Sequence, residues 1–172
     1  DRLVHAIPDA YDRVIQACVE NQVDFLLLCG DVFDTDKPSY AHYRRFIQGL
    51  KRLGDEGIKA YIIAGNHDPY PNWRTVIPDL PENAYLFPSD KPGFVCHEKN
   101  GEPLAVIAAR GFCNMAPGED ISEGMTRAAA EEKCGVKAPF CVGMLHTGLW
   151  MDPYKAPTSE QKLMASGMDY WA

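Results

Sequence analysis

The sequence lacks the features that would place it in a membrane or in a secretory pathway. It contains no run of uncharged apolar residues of about 18 or more, the length needed to span a bilayer. Its first residues, Asp1 to His5, do not follow the pattern of a signal peptide. Its 6 cysteines include no Cys-x-x-Cys pair. We therefore expect reduced cysteines and a cytoplasmic location.

Positive charge is also scarce. The 17 Lys and Arg residues face 24 Asp and Glu residues, which gives a net charge of −7. A compact domain that binds nucleic acid through a basic patch usually carries an excess of positive charge. The net charge does not exclude a local basic stripe, nor a site where metal ions contact phosphate. The remaining composition is ordinary for a globular protein, and 172 residues fit one domain over 1–172.

The first third of the chain alternates between helical and strand-like patterns. Apolar residues at helical spacing predict an amphipathic helix over about residues 7–21 and a second helix that begins near Pro38. The continuous apolar run at 24–29 (DFLLLC) predicts a strand buried on both faces, and 58–64 (IKAYIIA) predicts a second strand. This order is typical of a parallel sheet covered by helices.

A hairpin signal marks the middle of the chain. The Asn-Gly pair at 100–101 lies between two apolar segments, 94–98 and 104–109, and predicts a β-hairpin. On this hairpin His97 alternates with Val95, from which we predict an exposed histidine. The remaining predicted elements are a helix over about 121–134, a buried strand at 140–145 (FCVGML) and a last helix over about 158–166.

Each of the three apolar strands runs into polar residues. Asp31 follows the first strand, Asn66, His67 and Asp68 follow the second, and His146 follows the third. Taken singly, such residues are typical of turns, loops or a hydrogen-bonded core histidine. In open α/β sheets, however, ligands bind at the carboxyl ends of the strands. A carboxylate, an amide oxygen and imidazoles suit Mn²⁺, Fe or Zn²⁺, so the joint placement predicts a metal centre.

Two blocks of sequence at these strand ends resemble the motifs of a known family. The segment 30–34 (GDVFD), followed by 65–68 (GNHD), is similar to two signature blocks of the calcineurin-like metallophosphoesterases. The run VDFLLLCGDVFD, the Lys-Pro-Ser at 37–39 and the ending at 166–172 (SGMDYWA) resemble the SbcD-type DNA repair exonuclease branch. The resemblance covers nearly the whole chain. It implies an α/β fold, a four-layer αββα sandwich with mixed sheets.

The resemblance also implies a two-metal phosphoesterase with a role for each matching residue. Asp31 would bridge both metals, Asn66 would bind the second metal through its amide oxygen, and His146 would be a further ligand. His67 would lie beside the scissile phosphate, and Asp34 would orient it. The implied cofactors are two divalent ions, Mn²⁺ first, with Fe, Zn²⁺ or Mg²⁺ as alternatives. Asp68 is expected to hold its loop and not to take part in the chemistry.

Two blocks of the family pattern do not occur in this sequence. The family uses an Asp-x-His motif at the end of its first strand, and the sequence contains no Asp-x-His. The family also uses a Gly-His-x-His block, which is expected next after the final residue, Ala172. We therefore expect both blocks to lie outside the two ends, so that the domain is incomplete there. Asp31, Asn66 and His146 alone would not complete two metal sites.

Three functions remain open at this point. The leading interpretation is a Mn²⁺-dependent nuclease that acts on DNA ends, for which the family implies a homodimer and an SbcC-type ATPase partner. The first alternative is a small-molecule phosphodiesterase or phosphatase, which would use the same metal-dependent chemistry on a different substrate. The acidic net charge of the chain favours this alternative. A non-catalytic partner-binding module is the third reading. A basic and aromatic cluster, which either faces DNA or forms a solvated helix surface, consists of Tyr40, His42, Tyr43, Arg44 and Arg45.

Overall fold

Helices alternate with strands through most of the chain. The computed structural model describes residues 2–35, 37–76, 79–149 and 155–172. The helices are α1 (Arg2–Glu20), α2 (Tyr40–Asp55), α3 (Tyr70–Val76), α4 (Arg127–Cys134) and α5 (Glu160–Ala165). The strands are β1 (Phe25–Cys29), β2 (Lys59–Ile63), β3 (Ala84–Leu86), β4 (Gly93–Lys99), β5 (Glu102–Ala109), β6 (Phe140–Met144) and β7 (Tyr170–Trp171). None of the helices in these ranges is both long and apolar enough to cross a bilayer.

The strands form two sheets. The first sheet has the order β1-β2-β3, and all of its strands are parallel. The second sheet has the order β4-β5-β6-β7. In it β4 and β5 form the predicted antiparallel hairpin, while β5, β6 and β7 run parallel. Both residues of the turn, Asn100 and Gly101, have positive φ angles (56° and 81°), as a tight Asn-Gly hairpin turn requires.

Three apolar clusters hold the helices and sheets in four layers. Side chains alternate along β2, so Ile62 points to α1 and α2 while Tyr61 and Ile63 point to the second sheet. On the far side of the second sheet, Val106 packs against Ala130 of α4. Full burial of a large aliphatic side chain stabilises a fold by about 1.5–3 kcal/mol. The predicted αββα sandwich is confirmed; within the described residues the second sheet is mixed and the first is parallel throughout.

Some predicted elements differ in extent or burial. The five residues of β1 are only half-buried, because within the described residues β1 lies at the edge of the first sheet. Both faces of β1 pack against apolar clusters, as predicted, but none of its residues is fully buried. The helix predicted over 121–134 begins only at Arg127, since Gly124 adopts a positive φ of 80° and the Thr126 side chain caps the helix. Three short elements, α3, β3 and β7, were not predicted.

His97 is buried, and the prediction of an exposed histidine is wrong. Only 6% of the residue is exposed, and its Nδ1 lies 2.9 Å from the Tyr61 hydroxyl. The ring also packs edge-on against Phe25, with centroids 4.9 Å apart. The physical reason is strand geometry: residues two apart share a face, and Val95 packs into the apolar layer between the sheets. His97 therefore points into the same layer, where Tyr61 satisfies its ring nitrogen.

The burial of His97 predicts a pH-dependent stability. Burial lowers the pKa of His97 below its ordinary value of 6.5; Lys59 and Lys99 add to this, and Asp24 opposes it. The unfolded chain binds a proton on this ring as the pH falls below about 6.5, whereas the lowered pKa makes the folded chain bind it only at a lower pH. We expect His97 to contribute less to the free energy of unfolding as the pH falls from about 7 toward 5.

Urea unfolding of the metal-free protein measures this effect. The wild type and the non-titrating His97→Gln variant are compared across about pH 5 to 8. The difference between their free energies of unfolding should shrink as the pH falls. A difference that stays constant across this range would contradict the prediction.

Candidate metal centre

The predicted site residues lie where the strands of both sheets end. Cys29, the last residue of β1, is opposite Ile63 at the end of β2 in the parallel register. The loops that follow these strands therefore begin side by side. The first loop carries Asp31 and Asp34, and the second carries Asn66 and His67. His146 arrives from the second sheet, shortly after the end of β6.

His146 is held in one orientation by the backbone. Its Nδ1 lies 3.0 Å from the carbonyl oxygen of Cys29. A carbonyl oxygen only accepts, so Nδ1 donates, and in the neutral ring Nε2 keeps its lone pair. Nε2 lies 2.9 Å from Asn66 Oδ1 and 3.3 Å from Asp31 Oδ2. The ring of Phe112 packs edge-on against the imidazole, with centroids 5.2 Å apart.

These three side chains form a set of electron-pair donors that fits a divalent cation. His146 Nε2, Asn66 Oδ1 and Asp31 Oδ2 face one another with their lone pairs. These atoms repel each other unless a cation, a proton on Nε2 or a rotated Asn66 amide relieves the contact. An imidazole, a carboxylate and an amide oxygen are ordinary ligands of divalent ions. Among the described residues, no group of three or more His, Cys, Asp and Glu side chains could hold a metal ion. The amide of Asn66 is therefore needed to bring the set to three donors.

His67 lies beside these donors and is paired with Asp34. Its Nδ1 is 2.8 Å from Asp34 Oδ1, and both side chains are well exposed, at 45% and 80%. The carboxylate accepts from Nδ1 and so fixes the direction in which Nε2 points. The backbone N–H of His67 donates to Asp31 Oδ1 at 3.0 Å. The His67–Asp34 pair and the donor set are therefore directly linked through Asp31.

Two glycines allow the loops to approach this closely. Gly30 has a φ of 85°, and a Cβ added there would lie 2.7 Å from His146 Nδ1. A Cβ added at Gly65 would overlap the backbone nitrogen and Oδ1 of Asp31. Any side chain at either position would therefore move Asp31 or His146.

Asp68 lies beneath the site and holds both loops. The residue is 2% exposed, and its carboxylate accepts three backbone N–H groups, from Asp31 (3.1 Å), Phe33 (3.1 Å) and Gly65 (2.8 Å). Burial raises the pKa of Asp68 above its ordinary value, and the hydrogen bonds from Gly65 and Phe33 oppose this. The hydrogen bonds agree with the prediction that Asp68 holds its loop.

The structure brings together all five residues predicted for the site, Asp31, Asp34, Asn66, His67 and His146. Their chemical roles remain predictions. Sequence reasoning missed Phe112, which is fully buried against His146. It lies in an irregular segment, and no motif or periodicity in the sequence marks it. Only the edge-on contact between its ring and that of His146 shows its position.

The basic and aromatic cluster of α2 is exposed but partly neutralised. Tyr40 is 77% exposed, and His42 is exposed as well. Arg45 forms ion pairs with Asp9 at 3.0 Å and Asp12 at 2.6 Å, which compensate its charge. The outer surface of α1 and α2 also contains a cavity of about 620 Å³, lined in part by Asp12, Tyr40 and Arg45. The cluster is therefore a helix surface of mixed charge.

The chain matches the family model for calcineurin-like phosphoesterases over residues 4–151. It is 37% identical over 164 residues to the "Uncharacterized metallophosphoesterase YhaO" of Bacillus subtilis, an alignment that covers 93% of this chain and 38% of the relative.

Two further relatives carry more specific names. The chain is 31% identical over 104 residues to the SbcD component of the nuclease SbcCD of Bacillus subtilis, covering 58% of this chain and 27% of the relative. It is 37% identical over 60 residues to the "DNA double-strand break repair protein Mre11" of Thermoplasma acidophilum, covering 35% of this chain and 16% of the relative. The chain thus spans well under half the length of these relatives. The family match and the convergence of both signature blocks on one site lead to one conclusion: this chain belongs to the calcineurin-like phosphoesterase family.

Proposed function

We propose that this protein is a metal-dependent phosphodiester hydrolase, specifically a DNA repair exonuclease of the SbcD type that uses two divalent ions, with Mn²⁺ as the expected metal. The observation that carries this proposal is the convergence of Asp31, Asn66 and His146 beside the His67–Asp34 pair. Such an arrangement combines metal donors with a histidine that can move a proton.

The proposed mechanism assigns one task to each of these side chains. Asp31, Asn66 and His146 would hold metal, and further donors are needed for a second ion. Divalent ions bound here would supply positive charge to the phosphodiester and would lower the pKa of a bound water. His67 would donate a proton from Nε2 to the leaving oxygen. The carboxylate of Asp34, on Nδ1, would keep the ring oriented and stabilise its protonated form.

The substrate and partners belong to the same proposal. The relatives named as a nuclease component and as a DNA double-strand break repair protein support DNA as the substrate. An SbcC-type ATPase partner, a homodimer, a single nuclease domain over 1–172 and a cytoplasmic location complete the proposed assignment. Two observations favour a different substrate, a small phosphodiester: the chain carries a net charge of −7, and Asp9 and Asp12 compensate the charge of Arg45.

Two assays on the full-length protein separate these substrates. We expect Mn²⁺-dependent hydrolysis of linear double-stranded DNA. We also expect DNA binding that weakens at least tenfold between about 50 and 200 mM salt, because phosphate contacts release counterions. Hydrolysis of bis(p-nitrophenyl) phosphate without measurable DNA binding would favour the small-molecule alternative. Failure to hydrolyse either substrate with any divalent metal would favour the non-catalytic module.

A further inference from the structure

We infer that Asp68 is a positioning residue that sets the relative placement of the two loops of the candidate metal centre. The inference rests on the proposed function, since it concerns the metal affinity of that site. Asp68 does not reach the facing donor atoms itself. Its carboxylate is 2% exposed and is bonded to the backbone of both loops, at Asp31, Phe33 and Gly65.

The division of these hydrogen bonds between the two carboxylate oxygens explains why an aspartate is needed. Oδ1 accepts the N–H groups of Asp31 and Gly65, which joins the loop after β1 to the loop after β2. Oδ2 accepts the N–H of Phe33. An amide would present one acceptor and one NH₂ group, and the NH₂ group would face a backbone N–H that also donates. Asparagine therefore cannot satisfy all three N–H groups.

The contact with Asp31 matters most because the backbone of that residue is strained. Asp31 has a φ of 49°, in the left-handed region that residues other than glycine occupy at a cost. The hydrogen bond from its N–H to Asp68 stabilises this conformation. In this conformation Asp31 Oδ2 faces His146, and Oδ1 accepts from the backbone of His67. Loss of the Asp68 carboxylate would release the backbone that aims the Asp31 side chain.

We therefore expect Asp68→Asn to weaken Mn²⁺ binding by about 10–100-fold, the usual cost of removing an outer-shell partner of a metal ligand. Mn²⁺ binding is measured directly by titration, with the electron paramagnetic resonance signal of free Mn²⁺ as the readout. Added Mn²⁺ should restore part of the phosphodiesterase activity of the variant. Because bound metal also stabilises a weakened fold, the melting temperature of the metal-free variant is measured as well. A loss of Mn²⁺ affinity in a variant that is folded without metal separates positioning from a general loss of stability.

Asn83→Ala is the matched control. The Asn83 amide donates to the carbonyl oxygens of Leu50 (2.9 Å) and Ile58 (3.0 Å). Ile58 lies just before β2, at the amino ends of the strands, whereas the site lies at their carboxyl ends. Removing the Asn83 amide also deletes hydrogen bonds between a side chain and the backbone. We expect a lower melting temperature for this variant and a Mn²⁺ affinity within about twofold of the wild type.

The outcomes distinguish the inference from the proposed function. Wild-type Mn²⁺ affinity in a folded Asp68→Asn variant would overturn the inference and leave the proposed function intact. A wild-type protein that binds no divalent metal would overturn the proposed function, and the inference with it. If Asp68→Asn does not fold, the smaller Asp68→Ser variant is titrated in the same way, with the same two criteria.

Discussion

Replacing Asp31 by alanine abolishes Mn²⁺ binding and, with it, phosphodiester hydrolysis: this is the expected result with the largest effect. The Asp31 carboxylate is the charged member of the three facing donors, since Asn66 supplies a neutral amide and His146 a neutral imidazole. The same carboxylate also accepts the backbone N–H of His67. We expect the loss in Mn²⁺ affinity to exceed the roughly 10–100-fold that removal of an outer-shell partner costs.

Equilibrium dialysis against Mn²⁺, followed by elemental analysis of the protein, measures this loss. The matched control is Asp55→Ala, which removes an exposed carboxylate at the end of α2. Asp55 lies near the amino end of β2, away from the site at the carboxyl ends of the strands. The control should bind as much Mn²⁺ as the wild type. An Asp31→Ala variant that retained its full metal content would rule out Asp31 as a ligand.

The second large effect is expected at His67. His67→Ala should bind Mn²⁺ like the wild type but hydrolyse phosphodiesters about 10²–10⁴-fold more slowly, because the positioned acid for the leaving oxygen is gone. Asp34→Asn should give a smaller loss of the same kind, since the ring stays in place but loses the carboxylate that orients it. The rate constant under saturating Mn²⁺ and substrate is the measurement.

A comparison of two substrates tests whether His67 protonates the leaving oxygen. A substrate with a good leaving group, such as p-nitrophenolate, needs little protonation, so His67→Ala should lose less activity with it than with DNA. His42→Ala removes another exposed histidine, on α2, and should leave the rate with the p-nitrophenyl substrate unchanged. Unchanged DNA hydrolysis by His67→Ala would refute the role proposed for this residue.

The longer elements of the fold follow from local patterns that the sequence displays openly. The periodicity of α1 and α2, the apolar runs of β1, β2 and β6, and the Asn-Gly turn of the hairpin each predict an element that the structure contains. These segments carry enough apolar residues for their own pattern to specify helix or strand. Their order then restricts the architecture to helices packed on sheets.

The short elements could not be predicted in this way. β3 has three residues and β7 has two, and each exists through its pairing with a neighbouring strand. The helix α3 begins beside Pro69 and Pro71 in a segment that looks irregular because of its prolines. Such segments carry too little pattern of their own, so the partner strand or the packing surface decides their conformation.

The candidate site shows the same division between sequence and tertiary structure. The residue types and their positions after the apolar strands are properties of the sequence, and they point to Asp31, Asn66, His67 and His146. The resemblance to the family motifs adds Asp34 to this set. The sequence did not reveal Phe112 against His146, the burial of His97 or the three N–H groups on Asp68. Each of these depends on contacts between segments far apart in the chain.

Local patterns in the sequence specify the longer helices and strands, their assembly into a layered α/β fold, and which side chains follow the strands. The tertiary structure alone decided how those side chains meet. The orientation of His146 depends on the carbonyl of Cys29, 117 residues earlier in the chain, and the strained backbone of Asp31 depends on Asp68 in the next loop. The physical reason is that local patterns report the periodicity of burial, whereas hydrogen-bond geometry between distant loops exists only after the sheets have packed.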